Sequence, residues 1–191
     1  KTDVNVLQYA LDRLQLETLS HAKSVAQDSD FKQAFTRDDN SALYSITSDF
    51  MLSQNTSFLS VASSSGEILI RAEDRERKGD NVSQDPVIKS ALLGNPLATI
   101  VAKEGITSPE ILVKAAIPIK KGKSGKVQGA VSTGFIIDSA FVDGVKDITG
   151  LDAAVFGGNK RAATTFVAPD GKSRFVGTLE TNKNILKQVL E

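Results

Sequence analysis

Residues Ile111–Asp138 constrain the fold of this chain more than any other stretch. Two apolar runs, 111–120 and 127–137, flank a short basic turn, so they read as a long antiparallel hairpin. Asp138 then caps a helix predicted over Ser139–Thr149, with Gly150 ending it. Side chains alternate along a strand, which puts Ile111, Val113, Ala115, Ile117 and Ile119 on one face. On the returning strand Val127, Val131, Thr133, Phe135 and Ile137 are bulky. Leu112, Lys114, Ala116 and Pro118 share the opposite face, and Gln128, Ala130, Ser132 and Gly134 are small or polar. With 121–125 as the loop, Lys114 comes opposite Ser132 and Ala116 opposite Ala130. One face is therefore thick and apolar, suited to covering by a helix. The other is thin and carries a single ammonium.

The rest of the composition narrows the setting. The chain has 191 residues, 40% of them hydrophobic, enough to bury a real core. Acidic and basic side chains balance at 23 each, which gives no global field for nucleic acid or an anionic membrane. There is no cysteine, so disulfides, thiolate metal sites and a cysteine nucleophile are excluded. No apolar run approaches the roughly 18–20 residues that span a bilayer. The start at Lys1-Thr2-Asp3, without a methionine, suggests an excised or processed fragment.

Ahead of the hairpin, apolar spacings of three and four from Asp3 to about Phe35 predict a long helix. Leu16 and Leu19 widen its apolar surface, so it can cover a sheet with one side and meet a dimer partner with the other. A second helix is expected to about Leu52, then strands Ser57–Ser63 and Glu67–Ala72 around Ser64-Ser65-Gly66. Glu73–Asp80 reads as a charged, solvated loop. Asp85-Pro86 opens a short helix ended by Gly94, and Leu97–Lys103 reads as another strand. After Gly150, Asp152–Phe156 and Arg161–Val167 suggest a second hairpin, followed by a strand at Arg174–Thr178 and a helix over Asn182–Leu190. The order predicts an α+β fold: a PAS-like antiparallel five-stranded sheet with a long N-terminal helix, then a smaller partial second α/β lobe. The expected domains are 1–150 and 151–191.

Several segments in this order resemble the Cache family of extracytoplasmic sensor domains, in particular its double-Cache group. They are the long entry helix, Ser-Ser-Ser-Gly-Glu-Ile-Leu-Ile-Arg at 63–71, Gly79-Asp80-Asn81, Ala115-Ala116-Ile117-Pro118-Ile119, Gly129-Ala130-Val131 with Gly134-Phe135-Ile136-Ile137-Asp138, and the 155–178 stretch. The resemblance implies a membrane-distal sensory lobe, a membrane-proximal lobe here lacking its closing strands, and tethering by flanking segments to an inner or cell membrane. It further implies a periplasmic or extracellular location and an output domain such as a kinase, a chemotaxis module or a cyclic-dinucleotide enzyme.

Within that frame the residues select a site. Lys114 at the centre of the thin face is satisfied by a bound carboxylate, by an acidic side chain of the chain itself, or by snorkelling to water. Arg71, at the end of the second strand, offers a planar fork suited to a carboxylate. The resemblance implies that such residues line a pocket, which makes Arg71 and Lys114 an anion-binding pair. Ser60 and Ser132 supply hydroxyls, and Arg75 lies in a loop expected to close over the site. The ligand so expected is a small organic acid or amino acid, and the N-terminal helix is the expected homodimer contact.

Other signals are weaker. A phosphate loop around Gly122-Lys123-Ser124 fails, because its first glycine falls on Ile117 inside a strand. His21, the lone histidine, excludes a catalytic triad and a multi-histidine metal site. The carboxylates Glu73, Asp74, Glu76 and Asp80 alternate with Arg75, Arg77 and Lys78, which disfavours calcium. No metal, no cofactor, no catalytic residue and no nucleic-acid partner is expected. The rival reading is a structural or dimerisation module without a small-molecule ligand that senses a partner protein.

Overall fold

The computed structural model describes residues 2–122 and 125–190, so the middle of the basic turn, Lys123-Ser124, lies outside the described residues. Three helices come first: α1 (Thr2–Gln27), α2 (Ser29–Thr36) and α3 (Asn40–Ser53). The single helix expected as far as Phe35 is thus interrupted. Asp28 leaves helical geometry, with ψ at 138°, and its carboxylate accepts the Phe31 N–H at 2.8 Å. An aspartate that bonds its own downstream backbone starts a helix more readily than it continues one. Asp39 caps α3 in the same way, accepting from the Ala42 N–H at 3.0 Å.

Strands β1 (Phe58–Ser63) and β2 (Ile68–Arg71) precede a short helix, α4 (Pro86–Leu92). Strands β3 (Leu97–Lys103), β4 (Glu110–Lys120) and β5 (Val127–Ile137) follow, then α5 (Ser139–Thr149). The five strands form one sheet in the order β2-β1-β5-β4-β3. β1 pairs antiparallel with both β2 and β5. β3 begins only at Leu97, so Pro118 of β4 shares its surroundings with Gly94 and Pro96 of the preceding loop. That accommodates a residue unable to donate to a ladder.

The thick face holds the main core. Leu59, Val61, Ile117, Ile119 and Val131 from the sheet pack with Ala22, Val25 and Ala26 of α1, Phe31 and Ala34 of α2 and Leu43 of α3. Each fully buried leucine, valine or phenylalanine there contributes about 1.5–3 kcal/mol of transfer free energy. Half of the thin face forms a second, smaller core, in which Ala62, Ala116 and Ala130 meet Val87, Ile88 and Ala91 of α4, with Ile68 beside them. Alanines let α4 lie close to the sheet, so the short helix fills part of what the sequence left thin.

The chain divides into two compact units. One comprises Arg13–Thr99 and Val113–Phe135 and contains both of these cores. The other comprises Lys1–Asp12, Ile100–Leu112 and Ile136–Glu191. Their segments interleave along the chain. Within the second unit, β6 (Ala154–Gly157) and β7 (Lys160–Thr164) make the expected hairpin, and α6 (Lys183–Leu190) closes the chain. The strand expected at Arg174–Thr178 is reduced to one bridge, Val167 with Arg174. Backbone bonds from the Arg161 N–H to the Thr178 carbonyl and from the Gly177 N–H to the Arg161 carbonyl tie this region down, and side chains add to them: Arg174 forks onto Asp143 at 2.7 and 2.8 Å, and Arg161 pairs with Glu180.

Candidate functional site

The register of the sheet brings the sequence-selected residues into a row. Arg71 of β2 stands opposite Ser60 of β1, and Ser60 stands opposite Ser132 of β5. Residues directly opposite in an antiparallel pair share a face, so all three project to the side that carries Ala62 and Ala130. The Ser60 and Ser132 hydroxyls bond each other at 2.9 Å, and both residues are buried. Lys114 lies two residues before Ala116 on β4 and shares that face.

Arg71 reaches the row only because β2 is irregular. Val61 pairs with Ile70 and Ala62 with Ile68, which leaves Leu69 as an extra residue, a β-bulge. Ile68 and Ile70 are two apart and in a regular strand would share a face. Here Ile68 joins the thin-face core and Ile70 the thick-face core. Without the bulge, Arg71 would point into the helices; with it, the guanidinium is aimed along the thin face.

Each cation of the row already has an aspartate. Arg71 grips Asp80 with both terminal nitrogens, Nη1 to Oδ1 at 2.5 Å and Nη2 to Oδ2 at 2.7 Å, and Nη1 also donates to the Arg77 carbonyl at 2.9 Å. The hydrogen bonds from Arg71 hold the Asp80 carboxyl at a pKa of about 2, below its ordinary range, and the same bonds raise the pKa of Arg71. Lys114 Nζ donates to Asp85 Oδ2 at 2.5 Å and lies 6.0 Å from the centre of the Phe58 ring. Asp85 does two jobs. Its other oxygen accepts the N–H groups of Val87 and Ile88 and so caps α4.

Both aspartates come from the segment between β2 and α4, which is fixed along the outer edge of β2. Ile68 N–H donates to the Asp80 carbonyl, Gly79 N–H to the Ile68 carbonyl, and Val82 N–H to the Gly66 carbonyl, at 2.8–2.9 Å. The 73–80 stretch is exposed, as expected, yet its far end acts as a sixth strand-like layer that closes the sheet edge. Phe58 owes its place to Gly134: a Cβ there would fall 2.6 Å from the Phe58 ring and 2.1 Å from the Val113 carbonyl oxygen.

Arg75 is not brought to the row. Its guanidinium sits 5.0 Å over the ring of Tyr44 on α3, against the thick-face core. Arginine planes stack readily on aromatic faces, which is sufficient reason for that position. Asp80 and Asp85 are the site residues that sequence reasoning missed. Asp85 was legible as a helix cap, but nothing local shows its second oxygen reaching Lys114, 29 residues away. Among the described residues no cluster of acidic or histidine side chains is arranged to hold a metal ion. His21 packs against Phe135 with ring centres 5.9 Å apart. No described helix is long and apolar enough to cross a membrane.

Residues 3–191 match the dCache_3 family, the double sensory domain of two-component sensor kinases. The chain belongs to this double-Cache family. Comparison with curated proteins finds no match. Among solved structures the double-Cache chain is similar to the sensor domain of Escherichia coli DcuS, with a TM-score of 0.56 and 18% identity over 75% of this chain and 99% of that one. The periplasmic domain of Vibrio cholerae LuxQ aligns with a TM-score of 0.68 and 15% identity, over 90% and 81% of the two chains. The ligand-binding domain of the Campylobacter jejuni chemoreceptor Tlp3, in complex with L-valine, gives 0.52 and 14% over 97% and 69%. At these identities the likeness is one of fold.

Proposed function

We propose that this double-Cache chain is the extracytoplasmic sensor of a membrane signal-transduction receptor, binding a small carboxylate-bearing ligand over the thin face of its sheet. The ligand class is an organic acid or amino acid, and the Tlp3 complex with L-valine is a precedent of the same fold. The observation that carries the reading is the row Arg71–Ser60–Ser132, continued by Lys114: two cations and two hydroxyls on a face whose neighbouring positions include the small residues Ala62, Ala116, Ala130 and Gly134. Asp80 and Asp85 hold the places beside Arg71 and Lys114 that ligand carboxylates would take. An incoming carboxylate competes with them, and the segment 73–85 lifts to admit it, since Ser132 is only 1% exposed. Binding then favours whichever domain state has the segment displaced, and differential affinity alone shifts the population.

In this proposal residues 1–150 form the membrane-distal sensory lobe and 151–191 part of a membrane-proximal one. The domain faces the periplasm or cell exterior, and flanking segments tether it to the membrane. The output is a histidine kinase, a chemotaxis module or a cyclic-dinucleotide enzyme. Signal passes through α1, whose sheet-facing residues Thr18, Ala22 and Val25 are buried while Leu16 on another side is 67% exposed and available to a second copy.

A thermal-shift and calorimetric screen of organic acids and amino acids tests the reading. At least one compound raises the Tm of the wild-type chain, and Lys114→Met and Ser132→Val abolish that rise. The reading fails if a full panel gives no shift, or if the variants respond as wild type does. One observation favours the alternative of a ligand-free structural or dimerisation module sensing a partner protein: both cations are already satisfied within the chain. Under that alternative the panel gives no hit, and the chain self-associates or captures a protein through α1.

A further inference from the structure

A second opening lies on the helix side of the sheet, away from the Arg71–Lys114 row. It is a cavity of about 640 Å³ where the end of β4 meets the C-terminal part of α1 and the start of α2. That volume is within the range of small-molecule sites, about 300–1,000 Å³. Its floor is apolar, made by Leu19 and Ala26 of α1 with Ile117 and Pro118 of β4. Three lysines stand around it, Lys23, Lys32 and Lys120, and no acidic residue lines it.

The charges are not spent on carboxylates. Lys32 Nζ donates to the Gln27 carbonyl at 2.8 Å and Lys120 Nζ to the Gly94 carbonyl at 3.3 Å, while Lys23 is exposed. Among the described residues none of the three forms an ion pair. This contrasts with the thin-face row, where each cation holds an aspartate. Three ammonium groups gathered around an apolar trough repel one another, and a single anion relieves that repulsion. Lysine is a compact point charge, without the bidentate fork that arginine offers to phosphate. The floor asks for hydrocarbon, and the rim asks for one negative charge at its end.

We propose that this cavity binds a medium-chain alkyl carboxylate, its tail against Leu19, Ala26 and Ile117 and its carboxylate among Lys23, Lys32 and Lys120. Because Ala26 and Ile117 also belong to the thick-face core, such a ligand wedges directly between α1 and the sheet. The site is independent of the thin-face reading and stands or falls separately.

Calorimetry and thermal shift on the 191-residue chain with decanoate, kept below its micelle concentration, test the proposal. Decanoate is expected to bind saturably and to raise the Tm, whereas acetate and decyltrimethylammonium do neither. Lys23→Glu with Lys120→Glu, two exposed positions, weakens decanoate at least tenfold; the milder Lys23→Gln with Lys120→Gln weakens it in the same direction and covers the case of misfolding. Lys114→Met leaves decanoate affinity unchanged, which separates this site from the thin-face one. The proposal is overturned if decyltrimethylammonium binds as tightly as decanoate, if inorganic phosphate matches it, if decanoate lowers the Tm, or if the lysine variants bind like wild type.

Discussion

The two faces of the five-stranded sheet solve different problems with the same backbone. On the thick face Leu59, Val61, Val131 and Ile117 meet three helices, and stability comes from filled volume. On the thin face Ala62, Ala116 and Ala130 let α4 approach at one half, while the other half holds the polar row and its two aspartates. A packed face is specified by shape and resists change. A face held by paired charges can exchange one partner for another of like chemistry, which is what a sensor requires.

The largest expected contrast is in volume. Phe31→Ala, on the thick face, costs about 3–5 kcal/mol, whereas Ala130→Gly, on the thin one, costs only about 0.5–1 kcal/mol. Denaturant unfolding with unchanged m-values reads both, and equal losses would erase the distinction between the faces. Next come the charges. Asp85→Ala removes both the α4 cap and the partner of Lys114 and costs about 2–3 kcal/mol; Asp85→Asn keeps a capping oxygen and costs roughly half as much. If the two variants are equally stable, Asp85 has a single role.

Smaller again is the hydroxyl pair. Ser132→Ala leaves the buried Ser60 hydroxyl without its partner and costs about 1 kcal/mol, and adding Ser60→Ala restores part of the loss. Strict additivity in that double-mutant cycle breaks the pairing. The smallest effect is that of Arg71 and Asp80, a pair half open to water and discounted accordingly, at about 0.5 kcal/mol. Asp80 has its folded-state pKa lowered from 3.8 to about 2, so its contribution is complete above about pH 4 and is lost as the pH falls through about 2. Asp80→Asn therefore flattens the acid limb of the stability curve in that window, while Phe31→Ala shifts the curve without changing its slope.

Much of this arrangement was legible in the sequence because it rests on periodicity and local chemistry. Alternation along 111–120 and 127–137 separates the two faces, and Asp85, Asp138 and Gly150 mark helix ends where the structure has them. Parity also placed Lys114 and Ser132 on one side of the sheet, while the face of Ser60 follows from the strand pairing. What escaped depends on events that no window of sequence contains. Asp28 reads as one more polar residue on a helix face until its carboxylate turns back on Phe31. The partners of Arg71 and Lys114 depend on how the 73–85 segment runs along the sheet edge, a path set by backbone hydrogen bonds to Gly66 and Ile68. Arg75 was assigned by nearness in sequence, and a ring on α3 took it elsewhere.

The bulge at Leu69 bears on how other chains of this kind should be aligned. Arg71 owes its orientation to the bulge that takes up Leu69 between the Gly66 turn and itself, not to its identity alone. A relative lacking one residue in that interval would pair regularly and keep its arginine opposite Ser60, whereas one with the same count and no bulge would turn the guanidinium to the helix side. A relative with lysine or glutamine at the same count would present a different head group at the same address. Specificity across the family is therefore better followed by where the hairpin bulges first and by residue type second.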